Sequence, residues 1–358
     1  MIENLGLGIV RGRLLQVGVL ALLQVSAMLV LLSMPGCDRG ASSGIALQGA
    51  TMGTSYSVQL VAVPPSLDQD ALQQDVDSLL AQVNDMMSTY QPDSELSRFN
   101  AMWSTDWFPV SHELARVVAE AQRISALSDG AFDVTVGPLV NLWGFGPPRQ
   151  EDRLPRQSEI DVALAKAGHA KLQVRLDPPA LRKQQPDLYV DLSAIAKGYA
   201  VDRVAELLAG QGIVNALVEI GGELHARGHN SRDQAWRIAV ERPDPSARRV
   251  FRVLSLREMG MATSGDYRNF FELDGKRYSH TIDPATGRPV MHNLASVTMC
   301  AESTMQADAW ATALLVLGPE RGFEVAQEKG LAALLISRDG ETLNARWTDA
   351  FQALVGGE

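Results

Sequence analysis

The order of strand and helix patterns along the chain constrains its fold more than any other feature of the sequence. Residue spacing predicts strands at 186–191, 214–227, 235–242 and 250–258, and helices at 197–210, 304–317 and 319–329. Asp274-Gly275 and Asp339-Gly340 are typical of the hairpin turns that join antiparallel strands. Hairpins with helices set between them predict an α+β fold with mixed or antiparallel sheets and packed helices.

The first half of the chain adds one strand pattern and two helices. We expect a strand at 49–62, helices at 70–89 and 113–128, and a surface loop at 144–156. No GxGxxG sequence leads from a strand into a helix, so a Rossmann dinucleotide site is not supported.

The N-terminal 36 residues predict an export signal. Arg11 and Arg13 precede a long uncharged, Leu- and Val-rich stretch that ends in small residues before Cys37. This pattern predicts a lipoprotein signal peptide at 1–36, lipidation of Cys37, and a polar tether at 37–48. An uncleaved membrane anchor is the alternative, because a stretch of this length can cross a bilayer.

Charge and cysteine content narrow the class of protein further. The formal net charge is −10, which argues against a nucleic-acid partner. Cys37 and Cys300 are the two cysteines of the chain. Since Cys37 is assigned to the lipid, we expect no intramolecular disulfide, and the apolar surroundings of Cys300 predict a buried thiol.

Two residues of the predicted helix at 304–317 are candidates for holding a metal ion. Asp308 and Thr312 are four positions apart, which places both side chains on one helix face. Oxygen ligands of this kind favour Mg²⁺ or Ca²⁺ over zinc. The alternative is structural: the carboxylate interacts with the helix dipole and the hydroxyl bonds back to a carbonyl.

Two further segments carry polar residues at the ends of predicted strands. Asp191 is positioned to accept hydrogen bonds from a ligand, Lys197 to neutralise a phosphate, and a backbone carbonyl of this turn to complete a metal site. The alternative is that Asp191 or Ser193 only caps the following helix. His280 lies beside Asp283 and is a candidate general base.

Seven motifs of the sequence, taken together, are typical of one protein family. Tyr90, before a turn, offers an aromatic face for a flat ring, and Gly221-Gly222 indicates a bulge or a close backbone approach. The seven segments are TMGTSYSV, MSTYQPDSELSRFN, DGAFDVTVGPLVNLWGFG, DLSAIAKGYAVD, EIGGE, SHTIDPATGRPV and ADAWATA. Together they resemble the ApbE family of FAD:protein FMN transferases. The resemblance implies a two-lobed, ApbE-like flavin transferase unit at 49–350.

The resemblance also implies a reaction and a set of site residues. The reaction is Mg²⁺-dependent transfer of FMN from FAD to a threonine hydroxyl of a target protein, with release of AMP. His280 is the implied base, and the metal ligands are Asp308, Thr312 and the Ala194 carbonyl. The implied FAD-binding residues are Met52, Tyr90, Ala131, Phe132, Asp133, Asp191, Lys197 and Ile282.

The resemblance leaves two other activities open and suggests a location. The same residues serve a lipoprotein that binds and stores FAD, or a Mg²⁺-dependent pyrophosphatase that splits FAD into FMN and AMP. The implied acceptors are threonine-bearing subunits of membrane redox complexes. The implied location is the periplasmic side of the inner membrane, with a lipid anchor.

Overall fold

An eight-stranded antiparallel sheet forms the centre of the fold. The computed structural model describes residues 44–146 and 153–355. The helices are α1 (Gln69–Met87), α2 (Glu95–Ala101), α3 (His112–Leu127), α4 (Gly137–Leu142), α5 (Gln157–Leu164), α6 (Ala196–Gly210), α7 (Thr304–Glu328) and α8 (Asp349–Val355). The α+β class is therefore confirmed.

The strands follow one another mostly as hairpins. They are β1 (Ile45–Thr51), β2 (Thr54–Leu60), β3 (Phe108–Pro109), β4 (Leu172–Leu176), β5 (Pro179–Lys183), β6 (Ala216–Ile220), β7 (Glu223–Arg227), β8 (Trp236–Glu241), β9 (Val250–Leu256), β10 (Met259–Gly265), β11 (Phe270–Leu273), β12 (Lys276–Ser279), β13 (Ile282–Asp283), β14 (Arg288–Pro289), β15 (Leu294–Ala301), β16 (Ala332–Asp339) and β17 (Thr342–Trp347). The central sheet has the order β1-β2-β6-β7-β10-β15-β16-β17.

Both faces of the central sheet are covered. In β16, Ala333 and Leu335 belong to the core under the helices, whereas Leu334 and Ile336 belong to a second core that contains the β8–β9 ribbon and Phe351 of α8. This alternation is the period of two that a strand imposes on its side chains. A third apolar cluster joins α4 and α5 to Phe271 and Ile282.

Two predicted strands are wrong in extent, because each contains a two-residue hairpin turn. The strand predicted at 49–62 is β1 and β2, and the strand predicted at 214–227 is β6 and β7. Met52 (φ 49°) and Gly53 (φ 72°) form the first turn, and Gly221 and Gly222 form the second. Positive φ at both central residues matches the twist of a hairpin. β1 begins at Ile45, inside the range predicted as tether.

The strand predicted at 186–191 is absent from the described residues, since β5 ends at Lys183 and β6 begins at Ala216. Val190 is instead held by the side chain of Asn100, which donates to the Val190 carbonyl and accepts from its N–H, both at 2.8 Å. A side chain therefore satisfies the backbone groups that a neighbouring strand satisfies elsewhere.

The long helices agree with the sequence patterns. α1, α3 and α6 begin and end within two residues of the predicted bounds, and the two helices predicted around Gly318 form α7, which is interrupted there at φ 81°. No helix within the two described ranges is both long enough and apolar enough to cross a bilayer. The predicted signal peptide and Cys37 lie outside the described residues.

Candidate active site

The N-terminal turns of α6 and α7 meet at the centre of the candidate site. Gly198 of α6 donates its backbone N–H to Asp308 Oδ2 of α7 over 3.1 Å. A Cβ at Gly198 would lie 2.4 Å from the Thr304 carbonyl oxygen, so only glycine permits this approach of the two helices. Asp202 of α6 fixes the start of α7, because its carboxylate accepts from the N–H groups of Thr304 and Met305.

The three predicted metal ligands are all oxygen donors at this junction. The Ala194 carbonyl accepts no backbone hydrogen bond within the described ranges, since the N–H of Gly198 turns to Asp308 instead. Thr312 lies one turn after Asp308 in α7, and its Oγ1 is 3.0 Å from Ser264 Oγ of β10. A carboxylate, a hydroxyl and a carbonyl suit a hard divalent cation such as Mg²⁺.

The electrostatics of the junction also fit a bound cation. Asp308 is 3% exposed, and burial raises its pKa against the opposing charge of Lys197. Glu223 is similarly buried, and its Oε2 has no hydrogen-bond partner among the described residues. Two buried carboxylates beside one ammonium leave an excess of negative charge that an added cation would offset.

Lys197 lies between these two carboxylates. Its Nζ is 2.7 Å from Glu223 Oε1, and 28% of its side chain is exposed. Burial disfavours the ammonium, but the charges of Asp308 and Glu223 outweigh burial and raise the Lys197 pKa above its ordinary value. Burial raises the pKa of Glu223 to about 7 although Lys197 acts against it. The ammonium of Lys197 is therefore the fixed positive charge of the site.

His280 is placed as a base within reach of this charge. Asn269 O lies 3.0 Å from His280 Nδ1 and accepts the His280 backbone N–H over 3.1 Å. A carbonyl only accepts, so Nδ1 carries the proton and Nε2 keeps a lone pair. Burial lowers the pKa of His280, and the charge of Lys197 lowers it further. The neutral, proton-accepting imidazole is therefore the favoured form near neutral pH.

The predicted flavin-binding residues lie along a second group of loops. The backbone N–H of Asp191 donates to the Val134 carbonyl over 2.7 Å, which joins Asp191 to the segment Ala131–Val134. Burial and the charge of Asp191 raise the pKa of Tyr90, so this phenol lies near the carboxylate. The Tyr90 side chain is 67% exposed, which leaves its ring available for stacking.

Several of these residues also have structural roles. Asp133 accepts hydrogen bonds from Thr135 and from the backbone N–H of His169, and the Phe132 side chain packs into the main core. Asp191 Oδ1 accepts from the N–H and hydroxyl of Ser193, whereas α6 begins only at Ala196. Neither Asp191 nor Ser193 therefore caps α6, contrary to the structural alternative.

Met52 lies in a hairpin near Lys197, and Ile282 lies in an apolar cluster. A Cβ at Gly221 would lie 2.8 Å from Thr54 Cγ2 and 3.5 Å from Lys197 Cδ, so the hairpin turn after Met52 lies close to Lys197. Ile282 is buried in the third core cluster, together with Phe271 and Trp143. The edge of the Phe145 ring faces His280 at a centroid distance of 6.3 Å. The aromatic ring of Phe145 therefore lies beside the candidate base.

Glu223, a member of the charged cluster, was not predicted from the sequence as a site residue. An acidic residue directly after a Gly-Gly turn was the available signal. Within the described ranges no group of three or more His, Cys, Asp or Glu side chains is placed to hold a metal. The predicted ligand set includes only one such side chain, that of Asp308.

The chain is similar over most of its length to proteins of one known family. The model of the ApbE family matches residues 52–335. An FAD:protein FMN transferase of Vibrio cholerae is 46% identical over 92% of this chain and 98% of its own length. An FAD:protein FMN transferase of Salmonella typhimurium is 43% identical over 89% of this chain and 93% of its own.

Solved structures agree with the sequence relatives. The flavin transferase ApbE from Vibrio cholerae superposes with a TM-score of 0.82 at 44% identity, covering 87% of this chain and 99% of the other. The apo form of the Pseudomonas stutzeri flavinyl transferase ApbE gives a TM-score of 0.81 at 41% identity, covering 88% and 98%. The similarity extends over nearly the full length of each relative.

Proposed function

The chain belongs to the ApbE family, and we propose that it transfers FMN from FAD to a threonine hydroxyl of a target protein, releasing AMP. The observation that carries this proposal is the cluster of Lys197, Glu223 and Asp308 beside a neutral His280. Splitting a diphosphate needs positive charge near its oxygens and a base for the attacking hydroxyl. This cluster provides both.

Mg²⁺ is proposed as the cation of the site. Asp308, Thr312 and the Ala194 carbonyl would hold it, and when bound it would neutralise charge that develops on the diphosphate. The Ala194 carbonyl, which accepts no backbone hydrogen bond among the described residues, and the buried Asp308 carboxylate support this assignment. FAD enters as substrate, with its flavin on Tyr90 and along Met52, Ala131–Asp133, Asp191 and Ile282.

His280 and Lys197 have separate roles in the proposed reaction. His280 Nε2 accepts the proton of the threonine hydroxyl, while the threonine oxygen forms a bond to the FMN phosphorus. The bond from that phosphorus to the bridging oxygen breaks, and the electron pair leaves with AMP. Lys197 holds a positive charge near the diphosphate through both steps. A positioned base of this kind contributes on the order of 10²–10⁴-fold to the rate.

Export and membrane attachment are part of the same proposal. The basic and apolar N-terminal pattern and the position of Cys37 support a lipid-anchored protein on the periplasmic side of the inner membrane. Threonine-bearing subunits of membrane redox complexes would be reached there.

Product analysis tests the proposal. The full chain in detergent is incubated with FAD, Mg²⁺ and an acceptor protein that bears an exposed threonine motif. We expect the acceptor mass to rise by one FMN with an equal amount of AMP, and His280→Ala to bind FAD and lose turnover. AMP with free FMN and an unlabelled acceptor would favour the pyrophosphatase, and intact bound FAD would favour storage.

A further inference from the structure

The loop between β10 and β11 accepts the hydrogen bonds that orient the candidate base, His280. Asn269, near the end of this loop, accepts hydrogen bonds from both the backbone and Nδ1 of His280 through its carbonyl oxygen. The orientation of the imidazole, and the tautomer that leaves Nε2 free, therefore depend on where this loop lies.

An ion pair fixes the start of the same loop. Asp266 Oδ2 is 2.7 Å from Arg338 Nη1 of β16, and the Asp266 N–H donates to the Ala295 carbonyl of β15. The side chains of Asp266 and Arg338 are 13% and 25% exposed. The loop is thereby attached to two neighbouring strands of the central sheet, close to where β10 bonds Thr312 through Ser264.

The ion pair retains unused hydrogen-bonding capacity. Asp266 Oδ1 and Arg338 Nη2 are both buried, and neither has a hydrogen-bond partner among the described residues. A buried pair with unmet polar atoms is a weak source of stability, because desolvation offsets the attraction between the charges. Stability alone is therefore a poor explanation for the pair.

Asp266 also acts on His280 through its charge. Two charged side chains affect the imidazole: Lys197 lowers the pKa of His280, and Asp266 raises it. Burial and the Asn269 carbonyl act as well, in opposite directions, and the adjacent Phe145 ring carries no charge. When His280 accepts a proton, it becomes a partly buried cation beside the ammonium of Lys197. Asp266 is the carboxylate that compensates for it.

We propose that Asp266, held by Arg338, is a positioning residue for His280: it anchors the loop that orients the imidazole and stabilises the imidazolium formed during transfer. This inference rests on the function proposed above. It assigns to the site a carboxylate that acts on the imidazole through its charge and its loop, and that the sequence motifs did not indicate. The logic is that of other catalytic histidines, which need a fixed tautomer and a nearby negative charge.

Asp266→Asn is the direct test, because the amide keeps the shape of the side chain and removes its charge. We expect kcat/KM for transfer to fall about tenfold, because the imidazolium loses its countercharge in the transition state. We also expect the acid limb of its pH profile to move to lower pH, since His280 loses the charge that favours its protonation. Arg338→Met should lower the rate as well. Glu272→Gln, at an exposed carboxylate of β11, is the matched control and should leave the rate and the profile unchanged.

The outcomes separate this inference from the proposed function. If the wild-type chain transfers FMN and His280→Ala does not, while Asp266→Asn keeps the wild-type pH midpoint and rate, the inference is wrong and the function stands. A loss that appears only as a lower melting temperature, with kcat/KM per folded molecule unchanged, also overturns it. If the wild-type chain labels no acceptor, the proposed function fails first.

Discussion

Two regions of the molecule each enclose a lysine, and their surroundings differ in charge. Lys183 of β5 is 0% exposed and donates to the carbonyl oxygens of Asn100, Met102 and Pro186. Lys197 of α6 keeps 28% of its side chain exposed and faces the carboxylates of Glu223 and Asp308. One lysine is enclosed by neutral acceptors, and the other lies open beside acids.

The pKa values follow from this difference. Burial lowers the pKa of Lys183 to about 8, although the charge of Asp187 acts against it. At Lys197 the two carboxylates outweigh burial and raise the pKa. The carbonyl oxygens around Lys183 accept its hydrogen bonds without supplying a countercharge, whereas the carboxylates around Lys197 keep its partly exposed ammonium charged. Burial by itself therefore does not separate a structural lysine from a functional one.

The largest effect is expected from replacing Asp308, the most deeply buried carboxylate of the charged region. Asp308→Ala removes a proposed cation ligand worth several kcal/mol, so transfer should fall by at least on the order of 10³-fold. AMP release at saturating Mg²⁺ and FAD measures the loss, and circular dichroism checks the fold. An Asp308→Ala protein that remains active and dependent on Mg²⁺ would refute the metal assignment.

A smaller loss is expected at the open lysine. Lys197→Met keeps the length of the side chain and removes the charge near the diphosphate, so kcat should fall by on the order of 10²-fold. The melting temperature should also fall, because the buried carboxylates of Glu223 and Asp308 lose their countercharge, so turnover is compared per folded molecule. Wild-type turnover in this variant would mean that Lys197 serves only to neutralise Glu223.

Replacing the enclosed lysine, Lys183, should lower the stability of the fold without lowering turnover. Lys183→Met leaves three carbonyl oxygens without their donor, so the free energy of unfolding should fall by roughly 2–4 kcal/mol. Urea denaturation measures this loss, and turnover per folded molecule should match the wild type. A large fall in kcat with normal stability would contradict the division between the two lysines.

The smallest predicted effect is a shift in pH dependence. Because burial and Lys197 hold the pKa of His280 below its ordinary 6.5, the acid limb of kcat/KM should lie below pH 6.5 in the wild type. Removing the Lys197 charge should move this limb to higher pH, whereas Lys183→Met should not move it. An identical midpoint in all three proteins would mean that His280 is not the base that accepts the threonine proton.

The local parts of this arrangement are predictable from sequence. α6 and α7 have strong helical periodicity, and the motifs that carry Asp308, Lys197 and His280 lie at the ends of these helices and of a hairpin. Even the interruption at Gly318 is visible as the residue between two predicted helices. Such features depend on contacts within a few residues of each other along the chain.

The parts that depend on distant contacts were not predictable. Val190 is held by Asn100 rather than by a strand, and Asp266 meets Arg338 only because β10, β15 and β16 are neighbours in the sheet. Glu223 reaches Lys197 because the Gly221-Gly222 turn reverses the chain beside α6. No periodicity records such partners, since they are set by the order of strands in the sheet.

Binding of Mn²⁺ in place of Mg²⁺ would show directly whether the charged region around Asp308 holds a divalent cation. Electron paramagnetic resonance would measure free Mn²⁺ with the FAD-loaded wild-type chain, with Asp308→Asn and with Lys183→Met. We expect tight binding by the wild type and Lys183→Met, and loss of binding in Asp308→Asn. Equal affinity in all three proteins would contradict this expectation.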